Sequence, residues 1–309
     1  MRRRDARIAT IARDTRLPSP FSPERRPLDP KESKEGERRL LHSCWETKLA
    51  CLTLPRPVNF AVMPPIPDDT EAMRAAEGGA EKSRYVQRTF SEIAPRYDLL
   101  NHLLSLNIDR AWRRKAIAEL RVERKPAGNY LDLCAGTLDV SAMIADVNPA
   151  SGIVGADFAE PMLRAGSTKI AGKKVHPVTA DALRLPIRSS SMAGAIVAFG
   201  IRNVADLDAG LREVHRVLEP GGRFVILEFS TPPSRFVNGG YQLYFNHVLP
   251  IIGGFISGHR TAYRYLPKSV ANFPSTDALA SRMRSAGFAN VTWRSLTLGI
   301  AAIHRGERV

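Results

Sequence analysis

The segment Asp132-Leu-Cys-Ala-Gly-Thr-Leu-Asp139 decides the fold, because it is a turn of small residues between an apolar strand and a helix. The strand is predicted over 130–134 and the helix over 140–145. In an open α/β sheet, ligands bind at the carboxyl ends of the strands. A turn of small residues at that place lets backbone N–H groups approach a cofactor. We therefore expect this loop to hold a nucleotide-type cofactor.

Strands and helices alternate at short spacing after this loop, which favours a parallel, doubly wound sheet. Further strands are predicted at 152–157, 175–179, 195–199 and 223–229, and helices at 160–171 and 207–218. A helix over 276–286 is followed by two strands, 290–295 and 300–304, that form a hairpin. An otherwise parallel sheet that ends in a hairpin is typical of methyltransferases rather than dehydrogenases. The predicted fold is α/β, with a mostly parallel, seven-stranded, Rossmann-like sheet and a C-terminal antiparallel hairpin.

Two acidic positions follow the next two strands in the order that an adenosine would need. Asp157 ends the second strand, and one carboxylate there can accept hydrogen bonds from both ribose hydroxyls. Asp181 and Ala182 come after the third strand, where an acid and a backbone N–H can contact the adenine edge. Each feature alone is weak evidence, since an aspartate that ends a strand is often only a solvated cap. Three at successive strand ends are hard to obtain by chance.

A dinucleotide site is the obvious rival interpretation, and the loop argues against it. Such a site needs three glycines in the pattern G-x-G-x-x-G after the first strand. Here only Gly136 is present, so the loop offers no pyrophosphate cradle. S-adenosylmethionine carries no phosphate and fits the loop, with Asp132, Gly136 and Thr137 as candidate contacts.

Composition limits the remaining classes of function. The chain has 309 residues and a formal net charge of +14, but no run of Lys and Arg interleaved with aromatics that would mark a nucleic-acid surface. Three cysteines without a CxxC pair indicate neither a disulfide framework nor a zinc site. They suit a reducing compartment, so we expect a cytoplasmic protein without a metal.

The predicted domain organisation is a basic tail followed by one catalytic domain. We expect residues 1–80 to be a disordered basic extension, since they are rich in Arg, Pro, Glu and Ser. A transit peptide is an alternative that the acidic residues of the tail disfavour, and a true start at Met63 is another. The domain, 81–309, is divided into N-terminal helices (81–128), a cofactor-binding core (129–229), a substrate cap (230–275), and a final helix and hairpin (276–309).

Longer motifs make a family match specific. The sequence from about residue 84 to residue 306 closely resembles the ubiquinone/menaquinone biosynthesis C-methyltransferase family. The blocks that carry the resemblance are Phe90-Ser-Glu-Ile-Ala-Pro-Arg-Tyr-Asp-Leu-Leu-Asn101, Asp181-Ala-Leu-Arg-Leu-Pro186, Phe199-Gly-Ile-Arg-Asn-Val204, Arg216-Val-Leu-Glu-Pro-Gly-Gly-Arg-Phe-Val-Ile-Leu-Glu-Phe229, Tyr263-Arg-Tyr-Leu-Pro267 and Gly299-Ile-Ala-Ala-Ile-His-Arg-Gly306.

The resemblance implies a class I fold and methyl transfer from S-adenosylmethionine to a ring carbon of a prenylated quinol. Carried over by motif, the cofactor contacts are Thr137, Asp157, Asp181 and Ala182. The chain departs from the family at two places. The family usually has Gly where this chain has Leu138, and often a hydroxyl residue where this chain has Ala198.

Four residues are candidates for the chemistry. A quinol ring carbon is a weak nucleophile, so the site needs a base, a positioned water, or a cation that stabilises the phenolate. We assign Arg202 to phenolate stabilisation or to orienting a water, since a guanidinium has only donors and is not a base in proteins, and Asn203 to holding the quinol oxygen. Tyr97 and Asp98 are expected to close over the site, Asp98 being the better base. Core packing and a helix cap are their alternative roles.

The expected substrate is demethylmenaquinol, with a polyprenyl-methoxy-benzoquinol as the close alternative. A non-catalytic scaffold with the same fold is the alternative of another class, and Leu138 is the feature that favours it. The apolar segment 241–265 is expected to cap the sheet, to admit a prenyl tail, and to contact the inner face of a membrane at its surface. The oligomeric state stays open, a homodimer included.

Overall fold

The computed structural model of the chain describes residues 80–105, 107–244 and 260–309. Within this part, seven strands form one sheet. The strands are β1 (Asn129–Leu133), β2 (Gly152–Asp157), β3 (Val175–Thr179), β4 (Met192–Ala198), β5 (Leu218–Phe229), β6 (Phe288–Leu296) and β7 (Ala301–Arg308).

Helices precede the sheet, cover both of its faces and follow it. The described helices are α1 (Ala80–Ile93), α2 (Tyr97–Leu104), α3 (Ile108–Leu120), α4 (Asp139–Val147), α5 (Glu160–Ala165), α6 (Leu207–Val217), α7 (Arg235–Leu243), α8 (Arg260–Ala271) and α9 (Thr276–Ser285). The spacing of Trp112, Ala116, Ile117 and Leu120 in the sequence predicts an amphipathic helix over 108–120, and α3 confirms it.

The strand order is β3-β2-β1-β4-β5-β7-β6, which confirms the predicted fold class. Strands β1 to β5 run parallel, and β7 runs antiparallel to both β5 and β6. The chain reverses its direction of winding between β1 and β4. This reversal opens a crevice at the carboxyl ends of these strands, so the fold places the residues that follow β1, β2 and β4 around one site.

Apolar side chains from alternate strand positions fill both faces of the sheet. On one face, Leu131, Val197 and Phe224 pack with α6 and α9. On the other, Ile153 and Val225 pack with α3 and α4. A sheet buried on both faces needs continuous apolar strands, which explains why its strands read as apolar runs.

The predicted helix over 160–171 is shorter than expected. It ends at Ala165, and a 3₁₀ turn over Ser167–Ile170 follows. Between them, Gly166 passes so close to the cofactor loop that a Cβ on it would lie 2.1 Å from the carbonyl oxygen of Thr137. Only glycine allows this contact, and helical periodicity in the sequence does not reveal it.

Some expectations lie partly outside the described residues. The basic extension 1–80 does so up to residue 79, and the apolar segment 241–265 does so over 245–259. The subdivision of 81–309 therefore stays a prediction. None of the helices in the described part of the chain is long and apolar enough to cross a membrane.

Candidate cofactor and substrate site

An open cavity lies at the carboxyl ends of β1, β2 and β3 and the turn after β4. Its empty volume is about 410 Å³, counting the part that opens to solvent. Its lining includes Asp157, the last residue of β2, and Asn203 from the turn after β4. It also includes three residues that follow β1 or β3, namely Cys134, Asp181 and Ala182. Residues predicted from three strand ends are thus brought together around one space.

Asp157 is held rigidly between the first and second strand ends. Its Oδ2 accepts a hydrogen bond from the Gly136 N–H at 2.9 Å, and its Oδ1 accepts one from the Ala159 N–H at 2.9 Å. Burial raises the pKa of Asp157, although these backbone donors oppose the rise. Each carboxylate oxygen can accept a second hydrogen bond, so Asp157 retains acceptors for two ribose hydroxyls.

Asp181 and Ala182 form a turn at the edge of the cavity. Asp181 Oδ1 accepts from the Leu183 N–H at 2.9 Å, and its side chain is exposed, whereas Ala182 is buried. The Asp181 carboxylate is therefore preset by its own turn. This geometry suits an acid that accepts a hydrogen bond from an exocyclic amine.

Asp132 and Thr137 do not line this cavity. Asp132 is 1 % exposed, and its Oδ2 accepts hydrogen bonds from both the backbone N–H and the hydroxyl of Ser141. Burial raises the pKa of Asp132 to about 7, although the Ser141 donors oppose this. Its visible role is to tie the end of β1 to the first turn of α4, which fixes the shape of the loop.

Leu138 adopts a left-handed backbone with φ of 63°, which disfavours a branched residue, yet its side chain is completely buried. The space for it comes from β2, where Gly155 has no side chain. A Cβ on Gly155 would lie 2.6 Å from Leu138 Cδ2. Leu138 therefore fills a space next to Gly155 and does not narrow the cofactor cavity, whose lining does not include it.

Replacing Leu138 by glycine is expected to destabilise the protein by about 1–3 kcal/mol. Loss of a buried leucine costs about 2–5 kcal/mol, and relief of the left-handed strain returns about 1–2 kcal/mol. Gly155→Ala should also destabilise the protein, but by at least about 1 kcal/mol less when Leu138 is glycine. Urea unfolding of both single variants and the double variant measures this. If the changes in free energy of unfolding were additive, or if Leu138→Gly bound the cofactor more tightly, the proposed packing of Leu138 beside Gly155 would be contradicted.

Thr137 belongs to a charged cluster that joins the cofactor loop to α2. Its hydroxyl donates to Asp98 Oδ1 at 2.5 Å and accepts from Lys169 Nζ at 3.0 Å. Lys169 also pairs with Asp98 Oδ2 at 2.5 Å and with Asp139 Oδ1 at 2.6 Å. Against the effect of burial, Arg113 and Lys169 hold the pKa of Asp139 below its ordinary value. Asp98 therefore lies at the cofactor loop, paired with a cation.

Tyr97 lies on the other side of the same loop. A Cβ on Gly136 would lie 3.9 Å from Tyr97 Cε1, and the Tyr97 ring packs against Phe90 at a centroid distance of 5.8 Å. Burial raises the pKa of the Tyr97 hydroxyl, and contact with Asn101 and the charge of Arg202 oppose the rise. Tyr97 thus contributes packing and lies within the field of Arg202.

Arg202 forms a buried ion pair with Glu228, near the end of β5. Its Nη1 lies 2.7 Å from Glu228 Oε1 and also donates to the carbonyl of Phe199. The two side chains are only 7 % and 2 % exposed, and the guanidinium lies over the Phe229 ring. Its Nε is buried without a hydrogen-bond partner in the described part of the chain. Arg202 therefore supplies a fixed positive charge and one unused donor.

Asn203 links the cavity to the helices that cover it. Tyr265 donates its hydroxyl to Asn203 Oδ1 at 3.2 Å, and the Tyr265 ring packs on Tyr85 of α1. Burial raises the pKa of Tyr265 to about 12. Helix α1 is tied down further by Lys82, whose Nζ donates to the Val204 carbonyl at 3.1 Å. The N-terminal helices therefore close the site beside Asn203.

Sequence reasoning missed three charged residues of this arrangement: Glu228, Lys169 and Lys82. Glu228 had a usable signal, because a glutamate inside the apolar run Phe224-Val-Ile-Leu-Glu-Phe229 must be paired when that run is buried. Lys169 and Lys82 had none, because a lysine on a helix is usually solvated.

Comparison with known proteins identifies relatives of the whole described domain. The family model described as the ubiE/COQ5 methyltransferase family matches residues 79–308. A demethylmenaquinone methyltransferase of Thermus thermophilus is 49% identical over 221 residues, which are 71% of this chain and 99% of the relative. The UbiE ubiquinone/menaquinone biosynthesis C-methyltransferase of Geobacter sulfurreducens is 46% identical, over 74% of this chain and 90% of the relative.

Solved structures share the fold at low sequence identity. An S-adenosylmethionine-dependent methyltransferase from Thermotoga maritima superposes with a TM-score of 0.51 at 18% identity, over 71% of this chain and 98% of that one. The [4+2]-cyclase SpnF superposes with a TM-score of 0.53 at 15% identity, over 73% of this chain and 96% of that one. The fold alone therefore does not decide the reaction, and the residues of the site must.

Proposed function

The chain belongs to the ubiE/COQ5 methyltransferase family and uses S-adenosylmethionine as its methyl donor, and on this premise we propose that it methylates a ring carbon of demethylmenaquinol. The relatives named demethylmenaquinone methyltransferase, at 49% and 45% identity, support this substrate. The relatives named for ubiquinone and menaquinone together keep the benzoquinol as the second candidate.

The polar groups of the cavity suit S-adenosylmethionine. Asp157 offers acceptors for a ribose diol, Asp181 and Ala182 lie where an adenine would end, and no glycine-rich cradle for phosphate is present after β1. The bound donor supplies a methyl group on a sulfonium that is already a good leaving group. The protein therefore mainly has to orient the two reactants and exclude water.

The single observation that carries the proposed chemistry is the buried positive charge of Arg202. Its charge opposes the rise in pKa that burial causes at three tyrosines, Tyr97, Tyr241 and Tyr265, although the paired Glu228 adds to the rise at Tyr241 and Tyr265. A quinol hydroxyl that lies nearer to Arg202 than to Glu228 would be favoured as the phenolate for the same reason. The phenolate pushes electron density onto the adjacent ring carbon, which is the atom that attacks the methyl group.

Asn203 and Asp98 have different parts in this proposal. Asn203 lies in the cavity lining beside Tyr265 and can orient the quinol oxygen through its amide. Asp98 is a stronger base than Asn203, because it carries a carboxylate and not an amide. Both of its oxygens are engaged, however, one by the Thr137 hydroxyl and the other by Lys169. We therefore favour a water positioned near Arg202 as the immediate proton acceptor.

Peripheral contact with a membrane surface belongs to the same proposal. A polyprenyl quinol dissolves in lipid, so the enzyme must meet it at a bilayer. Helix α7 exposes Phe236 to 93% and Leu243 to 62%, and the chain that follows it is apolar. Exposed large apolar side chains beside a lipid substrate site favour insertion at the bilayer interface.

Substrate choice is tested with the full chain and labelled S-adenosylmethionine. Reduced demethylmenaquinol and a reduced polyprenyl-methoxy-benzoquinol of equal prenyl length are supplied in separate vesicles. We expect label in the extracted lipid with both quinols, but a higher kcat/KM for demethylmenaquinol. A higher kcat/KM for the benzoquinol would assign the chain to the second candidate, and no transfer to either would end the proposal.

A further inference from the structure

The cluster of Asp98, Lys169 and Thr137 holds a carboxylate, an ammonium group and a hydroxyl, none of which is assigned to the adenosine. It lies next to the donor cavity along the chain, since Gly136 binds Asp157 and Thr137 is the following residue. Asp157, Asp181 and Ala182 account for an adenosine. The other end of S-adenosylmethionine is an amino acid, which carries one ammonium group and one carboxylate.

We propose that the Asp98–Lys169 pair is the subsite for this amino-acid end, with Asp98 receiving the ammonium group and Lys169 receiving the carboxylate. The inference rests on the proposed function only for the identity of the methyl donor. A zwitterion that enters an ion pair leaves every charge paired with an opposite one. The net charge of the cluster does not change, so entry has no cost of uncompensated charge.

Exposure separates this pair from the other ion pair of the site. Asp98 and Lys169 are 33% and 26% exposed, so a small ligand can reach both, whereas Arg202 and Glu228 are 7% and 2% exposed, so a ligand cannot come between them. Partial exposure also means that the mutual attraction of Asp98 and Lys169 is weakened by solvent. A ligand therefore exchanges partners more easily with the Asp98–Lys169 pair than with the Arg202–Glu228 pair.

The hydrogen bonds of the cluster indicate how the exchange takes place. The three N–H groups of Lys169 meet Asp98 at 2.5 Å, Asp139 at 2.6 Å and Thr137 at 3.0 Å. The contact to Thr137 is the longest and the only one to a neutral acceptor. A ligand carboxylate would replace it with a charge-assisted hydrogen bond, which is shorter and stronger. Asp139 stays bound to Lys169 and keeps the lysine in place.

Ligands that lack one or both charged groups test this assignment. Calorimetric titration of the full chain uses S-adenosylhomocysteine, decarboxylated S-adenosylmethionine, which keeps the ammonium group, and 5′-methylthioadenosine, which has neither. Lys169→Met is expected to weaken S-adenosylhomocysteine about 10- to 100-fold and the other two less than about threefold. Asp98→Asn should weaken the first two ligands and leave 5′-methylthioadenosine unchanged.

A purely structural role of the cluster gives a different result. If Lys169 only shapes the loop, Lys169→Met weakens the binding of all three ligands by the same factor, and that outcome would overturn the proposal. Equal affinity of the unchanged protein for all three ligands would overturn it as well. Lys173→Met is the matched control, since Lys173 forms a comparable pair with Asp146 at 2.6 Å outside the cluster. If Lys169→Met does not fold, Asp98→Asn still separates the two roles. No quinol is present, so failure of quinol methylation would leave this result unaffected.

Discussion

Replacing Arg202 by methionine is expected to lower kcat by about 100- to 1,000-fold, the usual effect of losing one group that stabilises a developing oxyanion. The affinity for S-adenosylmethionine should change much less, because Arg202 does not line the donor cavity. The same substitution leaves Glu228 buried without its cation, and that should lower the free energy of unfolding by about 3–5 kcal/mol. Stopped assays with the reduced quinol and urea unfolding measure the two effects.

Arg223 is the control that separates the two effects. It is also buried, and it pairs with Glu307 at 2.5 Å, but it lies in the middle of β5 beside Gly194, whereas Glu228 lies at the carboxyl end of the strand. Arg223→Met should cost stability without a loss of kcat per folded molecule. If both variants lose kcat in proportion to their loss of stability, Arg202 is only structural and the phenolate assignment fails.

Replacing Asp157 by alanine is expected to weaken S-adenosylmethionine binding by about 100-fold or more. The ribose would lose two hydrogen bonds to a charged acceptor, each of which contributes about 1.5–3 kcal/mol. Asp157→Asn keeps the size of the side chain and one acceptor, so its effect should be intermediate. Calorimetric titration with S-adenosylhomocysteine measures both variants.

Glu160 provides a matched surface control for Asp157. It lies three residues further along the chain, and among the described residues its one ion pair is with Arg164; both side chains are at least half exposed. Glu160→Ala should leave binding unchanged within about twofold, as expected for an exposed ion pair. An Asp157→Ala protein that binds as well as Glu160→Ala would show that the ribose lies elsewhere.

The sequence predicted the fold, and the positions of Asp157 and Asp181 at the cavity, because both depend on local patterns. Apolar runs at short spacing indicate a parallel sheet, and a residue that ends a strand must lie at its carboxyl edge, as Asp157 and Asp181 do. The position of Asp132 was also predicted, but its bonds to Ser141 depend on how α4 begins.

The remaining features depend on distances between segments that are far apart in the chain. Leu138 is accommodated because Gly155 lies beside it, and only the β1–β2 pairing brings them together. Lys169 meets Asp98 because the chain tightens at Gly166, which no periodicity predicts. The charged partners of a site are therefore the part that local reasoning misses.

The most direct test of the central claim is carbon-13 NMR of the lipid product. The full chain is incubated with reduced demethylmenaquinol and S-adenosylmethionine that carries carbon-13 in its methyl group. The account predicts one new resonance in the range of a methyl group on an aromatic ring carbon. A resonance in the range of a methyl ether, or no label in the lipid, would contradict it.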